Sequence, residues 1–225
     1  FPLCPHSRSI RLVLEEMEIA HTLQIELPWA WRKAFLAMNP NGNLPVLELD
    51  NHMVLCGTYP IAEYLAEAHA ARQPDGPEAP LFPGDIEERA EARRLVDWFH
   101  DKCHREVTRD LLYEKHHARA AGIRGHSPDS EVLIATTQNL KQHMRYIGFL
   151  TDYRRWLAGD EMSFADLAAA GHISCLDYLG VIDWEKYPSA RDWYMRMKSR
   201  RSFLGILDDR IPGLAPPAYY ADPDF

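Results

Sequence analysis

Asn39-Pro40-Asn41-Gly42-Asn43-Leu44-Pro45-Val46-Leu47-Glu48-Leu49 is the stretch that fixes the architecture of the first third of the chain. Leu44–Leu49 and the following His52–Cys56 are apolar runs separated by Asp50-Asn51, which predicts a β-hairpin. The Leu44-Pro45 bond enters the first strand after a Gly-containing loop. That makes it a candidate cis peptide, although only about 5–6% of X-Pro bonds are cis, and an ordinary edge proline is the alternative. Upstream, Ile10, Leu12, Val13, Leu14 and Met17 recur at helical spacing, so a helix is expected from Pro5 to about Glu18, with Glu15 and Glu16 on its wet side. His21–Leu27 alternates and predicts a strand. Trp31–Pro40 predicts a short helix closed by Asn39-Pro40, and Ile61–Ala71 a further helix. The order is βαβ followed by ββα. Its first strand is reduced to Phe1-Pro2-Leu3, which leads to the expectation that several residues precede Phe1.

Gln73–Asp85 contains four prolines and two glycines and breaks both periodicities, so it reads as a linker. Beyond it the pattern is helical: Glu87–His117, Ser130–Leu157, Ser163–Leu179 and Tyr187–Arg200. The expected organisation is an α/β thioredoxin-like domain over residues 1–72, a linker over 73–86, an all-helical domain over 87–208 and an extended tail over 209–225.

With Lys+Arg 25 against Asp+Glu 33, the 225-residue chain carries a formal charge of −8. An acidic chain has no general attraction for nucleic acid or anionic lipid. No apolar run approaches the roughly 20 residues that span a bilayer, and no secretory signal is visible, so direct membrane insertion is not expected. Cys4, Cys56, Cys103 and Cys175 are too far apart in sequence for a compact disulfide framework or a metal-ligand motif. A reduced, cytoplasmic protein is the expectation.

Cys4 sits at the start of the first helix, in Cys4-Pro5-His6-Ser7. A thiol there meets free N–H groups and the aligned peptide dipoles, which favour the thiolate. Cys-x-x-Ser keeps an attacking sulfur and removes a resolving one, which suits mixed-disulfide chemistry. A small apolar residue packing a turn is the alternative. Ser163 and Asp166 have capping-box spacing, a folding signal. His100 and His104 lie four apart beside Asp97 and Asp101, but without the HExxH glutamate. They read as a half-exposed structural cluster, and no metal is expected. The tail Ile211–Phe225 carries four prolines and two tyrosines. It reads as a peptide ligand, with a strap on its own domain as the alternative.

Taken together, Cys4–Leu12, Asn39–Leu47, Ile61–Leu65 and the Ser163–Asp166 box resemble the glutathione S-transferase superfamily. The resemblance implies a thioredoxin-like domain followed by a helical bundle. It implies that Cys4 is the catalytic thiol, steadied by Ser7, that Leu44 offers its backbone to glutathione, and that Pro45 is cis. The hairpin of that superfamily usually runs into Glu-Ser, which holds the glutathione ammonium and carboxylate groups. Here Gly57-Thr58 stands in their place, so the glutathione site over Leu44, Pro45, Gly57 and Thr58 reads as vestigial. Losing one charge-assisted partner costs about 1.5–3 kcal/mol.

Leu95–Lys102, Met144–Gly148, Cys175–Gly180, Asp209–Gly213 and Tyr220–Phe225 resemble a bacterial cell-division branch of the same superfamily. That resemblance implies a homodimer, without a cofactor, that binds FtsZ filaments and alters their curvature. It implies a second division partner for the tail through Tyr220, Asp222, Asp224 and Phe225. Candidate FtsZ contacts are Trp29, Trp31 and Arg32, with Arg119 and Arg124, because aromatic residues and arginine dominate interface hot spots. The alternative function is a cysteine-type glutathione transferase or thiol reductase, its electrophile near Trp98, Cys103 and His104. A dimer face over Tyr59, Glu88 and Arg89 is a third expectation.

Overall fold

The computed structural model describes residues 1–72 and 81–222. Helix α1 (Pro5–Glu16) starts at Cys4 as N-cap and Pro5 as its first residue, and it buries Ile10, Leu12, Val13 and Leu14. The proline costs nothing there, since a first-turn N–H has no intrahelical partner. A short helix α2 (Lys33–Met38) precedes the hairpin of β1 (Val46–Glu48) and β2 (Val54–Cys56). These strands pair antiparallel in the register Val46↔Cys56, Leu47↔Leu55, Glu48↔Val54. Helix α3 (Thr58–Arg72) follows.

The helical domain opens with one continuous helix, α4, over residues 86–120. Its first segment, Ile86–Asp97, begins with a capping box between Asp85 and Glu88. Two stretches of α4, Trp98–Thr108 and Tyr113–His117, are wound as π-helix. Helices α5 (Ser130–Tyr153), α6 (Phe164–Tyr178), α7 (Pro188–Lys198) and α8 (Leu204–Leu207) complete it. Every residue of α6 is buried, and the helix forms the spine of the bundle. Ser163 caps it as expected: its hydroxyl accepts from Ala165 N, and Asp166 accepts from Ser163 N at 3.0 Å.

The two domains meet where α1 packs against α6. Gly171 is the crossing point. A Cβ there would lie 2.5 Å from the Pro5 carbonyl oxygen and 3.0 Å from the Ser9 amide nitrogen, so only glycine lets the two backbones come this close. That contact also sets His172, the next residue on α6, against the first turns of α1.

The alternating segment 21–27 is not a strand. A strand needs a partner strand, and among the described residues the backbone of this segment bonds no other strand: the Glu26 carbonyl accepts from the Phe1 ammonium at 2.8 Å, and the Leu27 carbonyl from the Ala30 amide at 2.9 Å. Its apolar residues Leu23 (49% exposed) and Ile25 (54%) line an open cavity of about 1330 Å³ shared with the hairpin, while Glu26 is buried. Glu16 also departs from its expected wet position. It accepts from Arg200 at 2.6 and 2.7 Å, tying α1 to the chain after α7. Of the expected linker, residues 73–80 lie outside those described, as do Asp224 and Phe225 of the tail. No described helix is long and apolar enough to cross a membrane.

Glu91 joins α4 to the loop after α5. It accepts from Arg94 at 2.7 and 2.8 Å and from Arg154 at 2.8 Å. The Arg94 hydrogen bonds, aided by Arg154 and opposed by partial burial, bring its carboxyl down to about 2. A depressed folded-state value stabilises the fold above the unfolded carboxylate range and is lost as pH falls toward the folded value. Glu91→Gln should therefore cost about 1–2 kcal/mol at neutral pH once solvent screening is allowed for. In urea titrations the gap between wild type and variant should close between about pH 4.5 and pH 2.

Candidate functional site

Cys4 is half-buried at the N-terminus of α1, and its sulfur accepts from the Ser7 amide at 3.5 Å. Burial alone would raise its pKa. The hydrogen bond and charge of His6, with the Ser7 side chain and amide, outweigh burial and bring the thiol down to about 7. Burial would likewise lower His6, but Cys4 and the His100 carbonyl raise it overall. A thiol with a lowered pKa beside a histidine with a raised one is the setting of a nucleophilic cysteine. The other thiols are unlike it. Burial raises Cys103 beyond any physiological range, and burial of Cys175, with charges around it, pushes that thiol up to about 12.

Leu44-Pro45 is cis. Ser7, Leu44 and Pro45 line the open cavity beneath the hairpin, whereas Cys4, Gly57 and Thr58 are not among its lining residues. Gly57 has φ +90°, and its amide donates to the Pro45 carbonyl at 3.0 Å. A side chain there would meet only Pro60 Cδ, at 3.8 Å. The position is therefore limited by backbone conformation rather than by space, and glycine suits it. Thr58 is buried at the first turn of α3.

The candidate partner residues fall into two groups. Trp29 packs edge-on against Phe1 and contacts His116 and His117, with the ring of His117 5.1 Å away. This holds the 29–32 segment against the end of α4 that leads into Arg119 and Arg124. Trp31 is 68% exposed, and both arginines are exposed, so each of the three is accessible to a partner. Arg119 donates to the Gly213 carbonyl at 3.2 Å, and Arg32 is paired with Glu26.

The tail behaves differently from a free ligand. Tyr220 is 1% exposed, packs edge-on against Tyr178, accepts from Arg8 and donates to the Ile206 carbonyl. It is a strap on its own domain, so the expectation that Tyr220 meets a partner is corrected. Asp222 is exposed. Tyr59 and Glu88 of the third expectation are also engaged within the chain. The Tyr59 hydroxyl lies 2.9 Å from both the Arg93 carbonyl and Asp97, and Glu88 closes the α4 capping box.

The histidines are more deeply placed than their spacing suggested. His100 is buried, and it meets His172 and His6, which sequence reasoning did not join to it. Asp97 and Asp101 point elsewhere, to Tyr59 and Arg105. The available signal was His172 itself, a basic side chain in the otherwise apolar and small-residue run Leu167–Cys175. Cys103 is fully buried and Trp98 donates to His143 at 3.0 Å, so of the three residues expected around an electrophile only His104 borders the Cys4–His6 pair, its ring 4.5 Å from that of His6.

The family model described as glutathione S-transferase, N-terminal domain, matches residues 3–68, and glutathione S-transferase, C-terminal domain, matches residues 111–201. The chain is 42% identical over 228 residues to FtsZ-localized protein A of Caulobacter vibrioides, covering 100% of this chain and 96% of that protein. A solved structure described as FzlA from C. crescentus has a TM-score of 0.92 at 41% identity, covering 100% of this chain and 97% of that one. A glutathione S-transferase from Sinorhizobium meliloti has a TM-score of 0.92 at 44% identity, covering 100% and 96%.

Proposed function

The chain belongs to the glutathione S-transferase family, and from that premise we propose that it is a non-catalytic, cytoplasmic cell-division regulator. In this reading it binds FtsZ filaments as a homodimer at the division site and modulates their curvature and constriction. The observation that carries the reading is the full-length similarity to a relative named for its localisation with FtsZ. Gly57-Thr58 supports it, since no side-chain carboxylate stands at that position to receive an ammonium group. A dimer presents each contact twice to a repeating polymer, which raises avidity without any new contact type. The exposed Trp31, Arg119 and Arg124 are the contacts assigned to FtsZ, and the end of the tail is assigned to a second division protein.

Pelleting of preassembled FtsZ polymers with micromolar protein tests this. Wild type should co-sediment, and the triple variant Trp31→Ala, Arg119→Ala, Arg124→Ala should lose most of the pelleted fraction, on the order of tenfold in affinity or more. Absence of wild-type co-sedimentation would end the reading.

A second reading, a cysteine-type glutathione transferase or glutathione-dependent thiol reductase, is favoured by one observation, the Cys4 thiol brought down beside His6. Calorimetric titration with glutathione separates the two. The regulatory reading expects binding no tighter than the millimolar range, and a Cys4→Ser variant that still pellets with FtsZ. Micromolar glutathione binding lost in Cys4→Ser would favour the enzyme.

A further inference from the structure

We propose that His6, His100 and His172 form a binding site for a single divalent first-row transition metal, with Zn²⁺ as the natural occupant. One ring nitrogen from each of the three lies within 4.8 Å of the others. The closest pair, His100 Nδ1 and His172 Nε2, is 3.1 Å apart. Two nitrogens bound tetrahedrally to Zn²⁺ at 2.0–2.1 Å sit about 3.3 Å apart, so this pair needs almost no adjustment.

The outer nitrogens carry the argument further. Ligating histidines characteristically have their second ring nitrogen held by a hydrogen-bond partner, which fixes the ring and its tautomer. All three rings here have such a partner. His6 Nε2 lies 3.0 Å from the His100 carbonyl oxygen, which can only accept, so Nε2 bears the hydrogen. In the neutral ring that leaves the lone pair on Nδ1, which is free for a metal once His6 gives up its hydrogen bond with Cys4. His100 Nε2 lies 3.3 Å from Ser9 Oγ, whose own hydrogen goes to the His6 carbonyl at 2.8 Å. His100 therefore donates through Nε2 and keeps the Nδ1 lone pair facing His172. His172 Nδ1 lies 2.9 Å from Thr108 Oγ1, a hydroxyl that also contacts His104 Nδ1 at 3.2 Å. With Nδ1–H given to that hydroxyl, His172 turns a second lone pair toward the first.

Without a cation, His172 takes its other tautomer and donates Nε2–H to His100 Nδ1. Metal binding thus exchanges the His100–His172 imidazole hydrogen bond and the Cys4–His6 hydrogen bond for coordination, and it moves one proton on His172. The three ligands come from α1, the π-wound part of α4, and α6, so a bound ion would fasten the two domains at the Gly171 crossing. π-Helical turns are rare and occur mostly at functional sites. Two of the rings are buried, and His6 is the partly exposed member of the three. Three neutral imidazoles suit Zn²⁺, with Cu²⁺ and Ni²⁺ as competitors, and leave a fourth position for water.

The site is independent of the FtsZ reading. Its test uses the full-length protein dialysed against a chelator, then titrated with ZnCl₂ by calorimetry and with CoCl₂ by visible absorption. One equivalent should bind below 1 μM, roughly, with the intense visible bands of tetrahedral Co²⁺. Tm should rise by about 5 °C at a hundredfold excess of Zn²⁺ over Kd. His6→Ala, at the rim, should keep its far-UV spectrum and lose at least tenfold in affinity. His172→Gln should lose binding altogether, and if it fails to fold, His6→Ala alone decides. No saturable uptake by wild type up to 100 μM, roughly, would overturn the proposal, as would affinity unchanged in His6→Ala.

Discussion

Asp166→Ala is expected to cost about 3–5 kcal/mol, a large fraction of the stability of a domain this size. The carboxylate is fully buried and receives four donors: Oδ1 from Leu157 N and Trp193 Nε1, both at 3.0 Å, and Oδ2 from Ser163 N at 3.0 Å and the Ser163 hydroxyl at 3.3 Å. Burial pushes this carboxyl up in spite of those donors. The charge is therefore not what stabilises the fold. The stabilisation comes from pairing donors that would otherwise be buried alone, each at about 1–3 kcal/mol. Asp166→Asn separates the contributions. Its carbonyl can still accept from Leu157 and Trp193, but its amide group then faces the Ser163 N–H, donor against donor. An intermediate loss of about 2–3 kcal/mol is expected in urea unfolding, with Trp193 fluorescence reporting the side that survives. A loss below 1 kcal/mol in the alanine variant, roughly, would mean that water reaches the orphaned donors.

That network was half legible in the sequence. Ser163 and Asp166 stand at capping-box spacing before a run of small residues, and such local signals need no tertiary knowledge. Trp193 and Leu157 as further donors depend on how α7 and the loop before α6 fold back, and spacing does not encode that. The hairpin and the helices were readable because their apolar periodicity matches what they bury. Segment 21–27 failed for the complementary reason. Alternation fixes which side chains share a face, but a strand also needs a neighbouring strand to bond to, and among the described residues this segment has none.

At the candidate site, Cys4 and Pro45 were singled out from local pattern, and Gly57 from the family resemblance. The cis bond at Pro45 and the positive φ at Gly57 agree with what those residue types permit. The histidine cluster was not found as a unit. His6, His100 and His172 are 72 or more residues apart, and they converge only because Gly171 lets α1 and α6 approach so closely. The i, i+4 pair His100 and His104 drew attention to the right helix and the wrong partners.

Arg8 escaped sequence reading altogether, because an arginine in the first turns of a helix beside a serine-rich motif reads as solvated. It is fully buried. Nε donates to the Pro2 carbonyl at 2.8 Å, Nη1 to Ser174 Oγ at 3.0 Å and to the Tyr220 hydroxyl at 3.3 Å, and Nη2 to Asp209 at 3.0 Å. One planar guanidinium thus ties the start of the chain, the middle of α6 and both ends of the tail strap together. Arg8→Ala leaves Asp209 with Arg11 alone and strands the Pro2 carbonyl, so about 3–5 kcal/mol should be lost. Arg8→Lys should recover little, since an ammonium lacks the fork that reaches several acceptors at once. Tyr220→Phe removes one hydroxyl and should cost about 1 kcal/mol. The three variants then order the release of the strap. Limited proteolysis between residues 209 and 222 should accelerate most in Arg8→Ala, nearly as much in Arg8→Lys, and only slightly in Tyr220→Phe. Acceleration in Tyr220→Phe equal to that in Arg8→Ala would place the anchor at the tyrosine hydroxyl instead. Because Arg8 lies two residues after His6 on α1, the same experiment reports whether loosening the tail disturbs the Cys4 end of the helix. The bonds of Arg8 to Pro2 and Ser174 lie on the path between them, so Cys4 should become more reactive to alkylation in Arg8→Ala and stay unchanged in Tyr220→Phe.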